Sequence, residues 1–346
     1  MKRLNAIALL LIAAAACDNP LEYRSTPLEP QLTVNGQFSA DEDCHYLYVG
    51  LCDDKTLLMP PEATVSCSVN GQFRCNGTIT EMTDRNIPLV YGNTFYSPES
   101  LRQNVYAIKT TFNAGDHVEI TVDAGEMAAS VALEVPQAPV SASFDSEWRK
   151  MAIDEDSLPE TVLSARTTFP DFAGTDDWYR LDFLMSFQGE SRFIQYYLTA
   201  LNTSDDPVLA EGRIDSGGGL DVVRMMAGNP YSIFSDNLFG GENVTVTANF
   251  EQEGVQDGPI TGHFPKGEYQ RRLRVRLHHL DYNSFRYLKM LALKRIDLFS
   301  SDFTEPVTLP CNVKGGIGFV SISNPAVGYL SLSDIYYDGK TISEVQ

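Results

Sequence analysis

From Gln31 onward apolar and polar residues alternate: Leu32 and Val34, then Leu47, Val49 and Leu51, then Val118, Ile120 and Val122, then Val131, Leu133 and Val135. A period of two puts every second side chain on one face, so the pattern predicts half-buried strands. Turn-forming residues separate them at Asn35-Gly36, Asn70-Gly71, Ala114-Gly115-Asp116 and Ala124-Gly125. Short strands at this spacing, with no helical period, predict an antiparallel sandwich over 31–138. Pro136 and Pro139 interrupt the pattern, and the domain boundary is placed there.

Beyond it, 139–346 reads as a second β domain, with strands at Trp178–Phe187, Arg192–Leu201, Val244–Phe250 and Leu273–Leu280. One segment differs. Between Tyr282 and Phe299 the apolar residues Phe285, Leu288, Ala292, Ile296 and Phe299 recur at three and four, with Asp281 placed to cap the first turn, which predicts a helix. Gly315, Gly316 and Gly318 then predict a glycine turn that leads a strand onto that helix. The fold class is therefore mainly β: two immunoglobulin-like β-sandwich domains, the second with one helix in its C-terminal half.

The N-terminus supplies an address. Lys2 and Arg3 precede an apolar run to Ala16, shorter than the roughly 20 residues that cross a membrane, so 1–16 reads as a signal peptide. Ala14, Ala15 and Ala16 before Cys17 resemble the lipobox of bacterial lipoproteins, whose cysteine sulfur carries diacylglycerol. Acyl chains contribute about 0.8 kcal/mol per buried methylene and anchor a chain without a spanning helix. Residues 17–30, with Pro20, Pro27 and Pro30, read as anchor and tether. Acidic residues behind the cysteine resemble a surface-export tag in Bacteroidota, whereas an aspartate at 18 resembles a retention signal in enteric bacteria. The expected location is the outer membrane, facing the exterior.

Composition narrows the partners. The formal charge is -20, and both halves share the acid excess, which argues against nucleic acid and against anionic headgroups. Arg272, Arg274 and Arg276 share one strand face opposite Leu273, Val275 and Leu277; this stripe is either a partner surface or a solvated face answering acidic neighbours. Tyr46 and Tyr48, and near the C-terminus Tyr336 and Tyr337, are candidate flat surfaces for a sugar or protein, with core or rim packing as the plainer reading. Asp156-Ser157-Leu158 resembles the O-glycosylation site of Bacteroides exported proteins, at Ser157.

Chemistry is sparse. CxxC, HExxH and G-x-S-x-G are absent, and adjacent His278 and His279 point to opposite faces of a strand. Asp41, Glu42 and Asp43 lack the glycine and closing glutamate of a calcium hand, and Asp176 and Asp177 read as a chance pair. No metal, cofactor or catalytic residue is assigned. Export permits disulfides, expected as two bridges among Cys44, Cys52, Cys67 and Cys75, with Cys311 the odd thiol. Cys44 and Cys52 lie on one strand, too far apart to join each other. A strict hairpin at Asn70-Gly71 would set Cys67 opposite Arg74, so a 67–75 bridge needs a bulge; pairing 44 with 75 and 52 with 67 is the alternative.

The runs LEPQLTVNGQFSADED, PPEATVSCSVNG and LEVPQAP are similar to the first half of the Bacteroidota lipoproteins called domain of unknown function 4249. IFSDNLFGGENVTV, LDYNSFRYLKML and FTEPVTLPCNVKGGIGF resemble segments of its second half, in the same order, and cysteines 44, 52, 67 and 75 depart from the family pattern. The resemblance implies an outer-membrane lipoprotein often encoded beside a TonB-dependent transporter. A non-catalytic accessory or ligand-presenting role is the expectation, with a surface adhesin or glycan-binding module as the alternative.

Overall fold

A computed structural model describes residues 29–53, 57–58, 62–81, 104–152, 158–171, 174–190, 193–198, 200–201, 205–211, 228–252, 255, 265–297, 309–339 and 341–344. The first half contributes β1 (Gln31–Ser39), β2 (Cys44–Cys52), β3 (Leu57–Leu58), β4 (Thr64–Val69), β5 (Gln72–Asn76), β6 (Thr78–Thr80), β7 (Asn104–Lys109), β8 (His117–Ala124) and β9 (Met127–Glu134). The second contributes β10 (Ser143–Met151), β11 (Glu160–Pro170), β12 (Trp178–Gln188), β13 (Phe193–Tyr197), the short helix α1 (Pro207–Glu211) and β14 (Ile233–Ser235). It continues with β15 (Asn243–Glu251), β16 (Gly267–Leu280), helix α2 (Tyr282–Asp297), β17 (Val320–Ser323), β18 (Ala326–Tyr337) and β19 (Ile342–Glu344).

The chain is mainly β. Two sheets, ordered β17-β1-β2-β7-β6 and β5-β4-β8-β9, enclose one core of Leu32, Val34, Leu47, Val49 and Ile108 against Val65, Val118, Ile120, Val122 and Val131. Two more, β10-β11-β15 and β13-β12-β16-β18-β19, enclose Leu163, Val246 and Phe250 against Phe183, Met185, Val275 and Ile335. Apolar side chains of alternating parity meeting between two layers make each half a sandwich. The Asn70-Gly71 turn forms as expected, both residues taking positive φ, at 53° and 76°, the left-handed pair that a two-residue hairpin requires, whereas Asn35-Gly36 does not turn but runs through the middle of β1, paired with Tyr48 and Leu47.

Helix α2 starts where Asp281 Oδ1 accepts from the backbone amides of Asn283 and Ser284, at 2.8 and 3.0 Å, satisfying donors the first turn leaves open. Phe285, Leu288 and Ala292 are buried with Tyr231, Ile233 and Leu280. Ile296 and Phe299 lie outside the described side chains.

The segment after α2 belongs elsewhere than the 139–346 division places it. β17 pairs in parallel with β1, Gly36 opposite Val320 and Ser39 opposite Ser323, and Val313, Val320 and Ile322 join the first core. Glycine is required here: at Gly318, φ 126°, a Cβ would sit 2.1 Å from the Val34 carbonyl oxygen. The strand also meets the helix, since Phe319 stacks on Tyr287 with centroids 4.4 Å apart. The chain thus leaves the first sandwich at Pro136, builds the second, and returns to close the first sheet.

Candidate functional site

The return of β17 brings the β1–β2 turn against the outer face of the second sandwich. On β12 the residues Tyr179, Leu181, Phe183, Met185 and Phe187 fill the core, so Arg180 and Asp182 project to the opposite face. Register then pairs Asp182 with Arg276 and Arg180 with His278 across β16. All four are buried.

Asp182 is the hub. Its carboxylate accepts from Arg276 Nε and an Arg276 terminal nitrogen at 2.7 and 3.0 Å, and from Arg180 at 3.2 Å, while His278 Nε2 lies at 2.8 Å. Burial alone would raise its pKa, but Arg276, His278 and Arg180 overcome that and hold the carboxyl well below the usual range. His278 is pushed down to about 4, first by burial and then by Arg180, so its ring is neutral at pH 7. Its Nδ1 meets Ser323 Oγ of β17 at 2.9 Å, and that hydroxyl reaches the Phe38 carbonyl at 3.3 Å. Arg180 donates to Gln37 at 3.4 Å.

The acidic turn completes the seam. Arg274 donates to Glu42 at 2.8 Å and to Asp41, and Arg276 donates to Glu42 at 3.2 Å. Asp41, Glu42, Arg274 and Arg276, met in the sequence as an acidic turn and a basic stripe, therefore answer one another across the two sandwiches. Only Arg272 of the stripe is exposed. Arg276, at 4% exposure, is turned away from any outside partner.

The tyrosines divide likewise. Tyr48, at 2% exposure, is buried on the strand face opposite Leu47 and Val49 and so offers no open surface, and Tyr46 is half-buried. Tyr337 is buried, whereas Tyr336 is exposed and Tyr329, which sequence reading passed over, is 65% exposed with the Arg274 guanidinium 6.0 Å from its ring centroid. His278 and His279 do face opposite ways: His279 Nε2 meets Asp177 at 2.8 Å.

That contact opens onto a second cluster. Asp171, Asp177 and Asp236 place one carboxylate oxygen each within 4.8 Å of the others, the donor set a hard cation takes. Each already has local partners: Asp171 accepts from Tyr179 Oη at 2.8 Å and the Gly241 amide at 3.0 Å, and Asp177 from Thr175 Oγ1 at 2.6 Å. Burial, followed by the charges of Asp171 and Asp177, raises the Asp236 carboxyl. Asp176 is not a member, and the trio is scattered too widely along the chain for spacing to have revealed it.

Cys17 and Ser157 lie outside the described residues, as do 1–16. Cys44, Cys52, Cys67, Cys75 and Cys311 are all thiols in the structure. Cys44 opens β2 opposite Lys109 and Cys52 closes it opposite Gln31. A bulge between Cys67 and Ser68 sets Cys67 directly opposite Cys75.

Among the described residues no helix is long and apolar enough to cross a membrane. A family model described as a domain of unknown function, DUF4249, matches residues 18–327. No curated protein matches the sequence.

Proposed function

The chain belongs to the family of the domain of unknown function 4249, and from that premise we propose that it is an outer-membrane, surface-facing lipoprotein that serves a TonB-dependent transporter as a non-catalytic, ligand-presenting subunit. The seam carries this reading. Asp182, Arg276, Arg180 and His278 are buried and bonded to one another on β12 and β16 of the second sandwich, and Arg276, Arg180 and His278 reach Glu42, Gln37 and Ser323 of the first, so their chemistry goes into fixing domain geometry. An interlocked pair of domains on a short tether suits presentation. Fourteen extended residues from Cys17 to Pro30 reach at most about 50 Å, which confines the chain beside its neighbour in the membrane and raises their effective concentration.

The second reading, a surface adhesin or glycan-binding module, draws on exposed Tyr329 and Tyr336 of β18, with Arg272 on the adjacent strand. Flat aromatic faces beside hydrogen-bond donors suit the faces of a sugar ring.

The test is purification of the tagged, full-length protein from its native membrane in mild detergent. A transporter recovered in near-stoichiometric amount supports the first reading, and loss of palmitate label in Cys17→Ser supports the anchor. Recovery of the protein alone, with retained polysaccharide, supports the second reading. Recovery alone with hydrolysis of a surface polymer overturns both.

A further inference from the structure

We propose that Cys67 and Cys75 form a cross-strand disulfide that pins the β4–β5 hairpin, and that Cys44 and Cys52 take no part in it. The spacing of the cysteines left two pairings open, because a tight Asn70-Gly71 hairpin puts Cys67 opposite Arg74. The backbone resolves the conflict by doing both. Val69 pairs with Gln72 and Ser68 with Phe73 around the tight turn, and then Arg74 is passed over as the extra residue of a bulge, so that Cys67 faces Cys75. Directly opposed residues of an antiparallel pair have Cα atoms about 4.5 or 5.5 Å apart, and both values fall within the roughly 4.4–6.8 Å that a disulfide spans.

The side chains agree with the backbone. Cys67 is fully buried and Cys75 packs against the same core, so both point inward, and their thiols are hydrogen-bonded to each other. Burial, then the neighbouring Cys75, pushes the Cys67 thiol up to about 12, and burial raises Cys75 as well. Two apolar-packed thiols in contact gain little from staying reduced, since a thiol is only a weak hydrogen-bond donor. The Cys52–Cys67 half of the alternative fails on position: Cys67 lies opposite Ile120 on its other side, while Cys52 sits at the far sheet opposite Gln31.

The oxidant is a disulfide-bearing thiol oxidant of the exported compartment. The Cys75 thiolate, the more accessible of the two, attacks one sulfur of that disulfide and expels the other as a thiol; the Cys67 thiolate then attacks Cys75 Sγ and releases the second. Two electrons and two protons pass to the oxidant. Since Cys67 is closed to solvent in the folded sandwich, closure belongs to folding.

The proposal rests on the export contained in the proposed function, and two arms separate the two. Full-length protein is reduced, unfolded and refolded in glutathione redox buffer, alkylated, and digested with trypsin, which cuts after Arg74 between the two cysteines. The expected product is one pair of peptides joined through Cys67 and Cys75 and separated by reductant. Complete alkylation of both cysteines, or linkage of Cys75 to Cys44 or of Cys67 to Cys52, overturns the bridge whatever the compartment. The same digest on protein alkylated in the cell should show the same linkage. A bridge that forms in buffer and is absent in the cell leaves the pair standing and contradicts export.

Discussion

Asp182 accepts from two guanidinium groups beside a neutral imidazole, and the whole arrangement is out of water. An ion pair at such depth recovers in Coulomb attraction roughly what it loses in hydration, so its presence adds little net stability. Removing one partner is another matter. Asp182→Asn leaves Arg276 and Arg180 without a countercharge and should cost about 3–5 kcal/mol, read as a lower urea midpoint, whereas Glu42→Gln, at the part-exposed end of the seam, should cost under about 1 kcal/mol. Equal costs for the two would contradict the buried hub. Histidine makes the fold pH-sensitive, through His278 in the seam and His45 in the first sandwich. His278 and His45 both have folded pKa values of about 4, below the ordinary 6.5, His45 chiefly through burial beside Phe38 and Phe112. The unfolded chain therefore binds their protons first. Their contribution is complete above about pH 6.5 and is lost as pH falls toward 4, by about 2 kcal/mol each between pH 7 and 5. Urea titrations at both pH values should show the loss, and His45→Phe should remove its share of the slope. An unchanged slope in that variant would contradict the assignment.

At the scale of elements, the glycine turn decides how the sandwiches interlock. A Cβ on Gly318 meets the Val34 carbonyl, backbone against backbone, whereas one on Gly71, with φ 76°, meets nothing within 4 Å. Gly318→Ala should therefore cost about 3 kcal/mol or more by prising β17 from β1, and Gly71→Ala only about 1 kcal/mol of left-handed strain. Thermal unfolding of the two variants checks the difference; similar losses would contradict the packing of the return strand. Alternation made β1, β2, β8, β9, β12, β15 and β16 legible, and periodicity with a capping aspartate made α2 legible, because each is written in local spacing. β10 was missed since none of its residues is fully buried and its inward face holds only two large apolar side chains, Phe144 and Trp148, with Ser146 between them. β17 was visible as a strand but not as the parallel neighbour of β1, a partner it meets only through the tertiary fold. The seam was hidden for the same reason. Asp41 and Arg274 are 233 residues apart, and a charge between core residues of a strand looks solvated until the opposite sheet face is known to be covered. A usable signal did exist: Arg180 and Asp182 interleave with Tyr179, Leu181 and Phe183 on β12, as Arg276 and His278 interleave with Val275 and Leu277 on β16, and opposite charges fall in register once the two strands are paired.

The molecule as a whole is two sandwiches with separate cores that interlock. β17 completes the first sheet only after the second sandwich has been built, Phe319 stacks on Tyr287, Asn324 donates to the Pro136 carbonyl at 3.1 Å, and the charged seam closes the remaining face. In the proposed role, presentation of a ligand or partner surface would depend on this interlock, because a hinge at Pro136–Pro139 would let the second domain turn freely on the first. Fluorescence can test it without labels, since both tryptophans, Trp148 and Trp178, belong to the second half, while far-UV circular dichroism reports strands of both. One equilibrium urea titration of the purified protein, followed by both signals, is the most direct measurement. The interlock predicts a single coincident transition. A tryptophan transition separated from the circular dichroism transition would mean that the sandwiches unfold as independent units, and would contradict it.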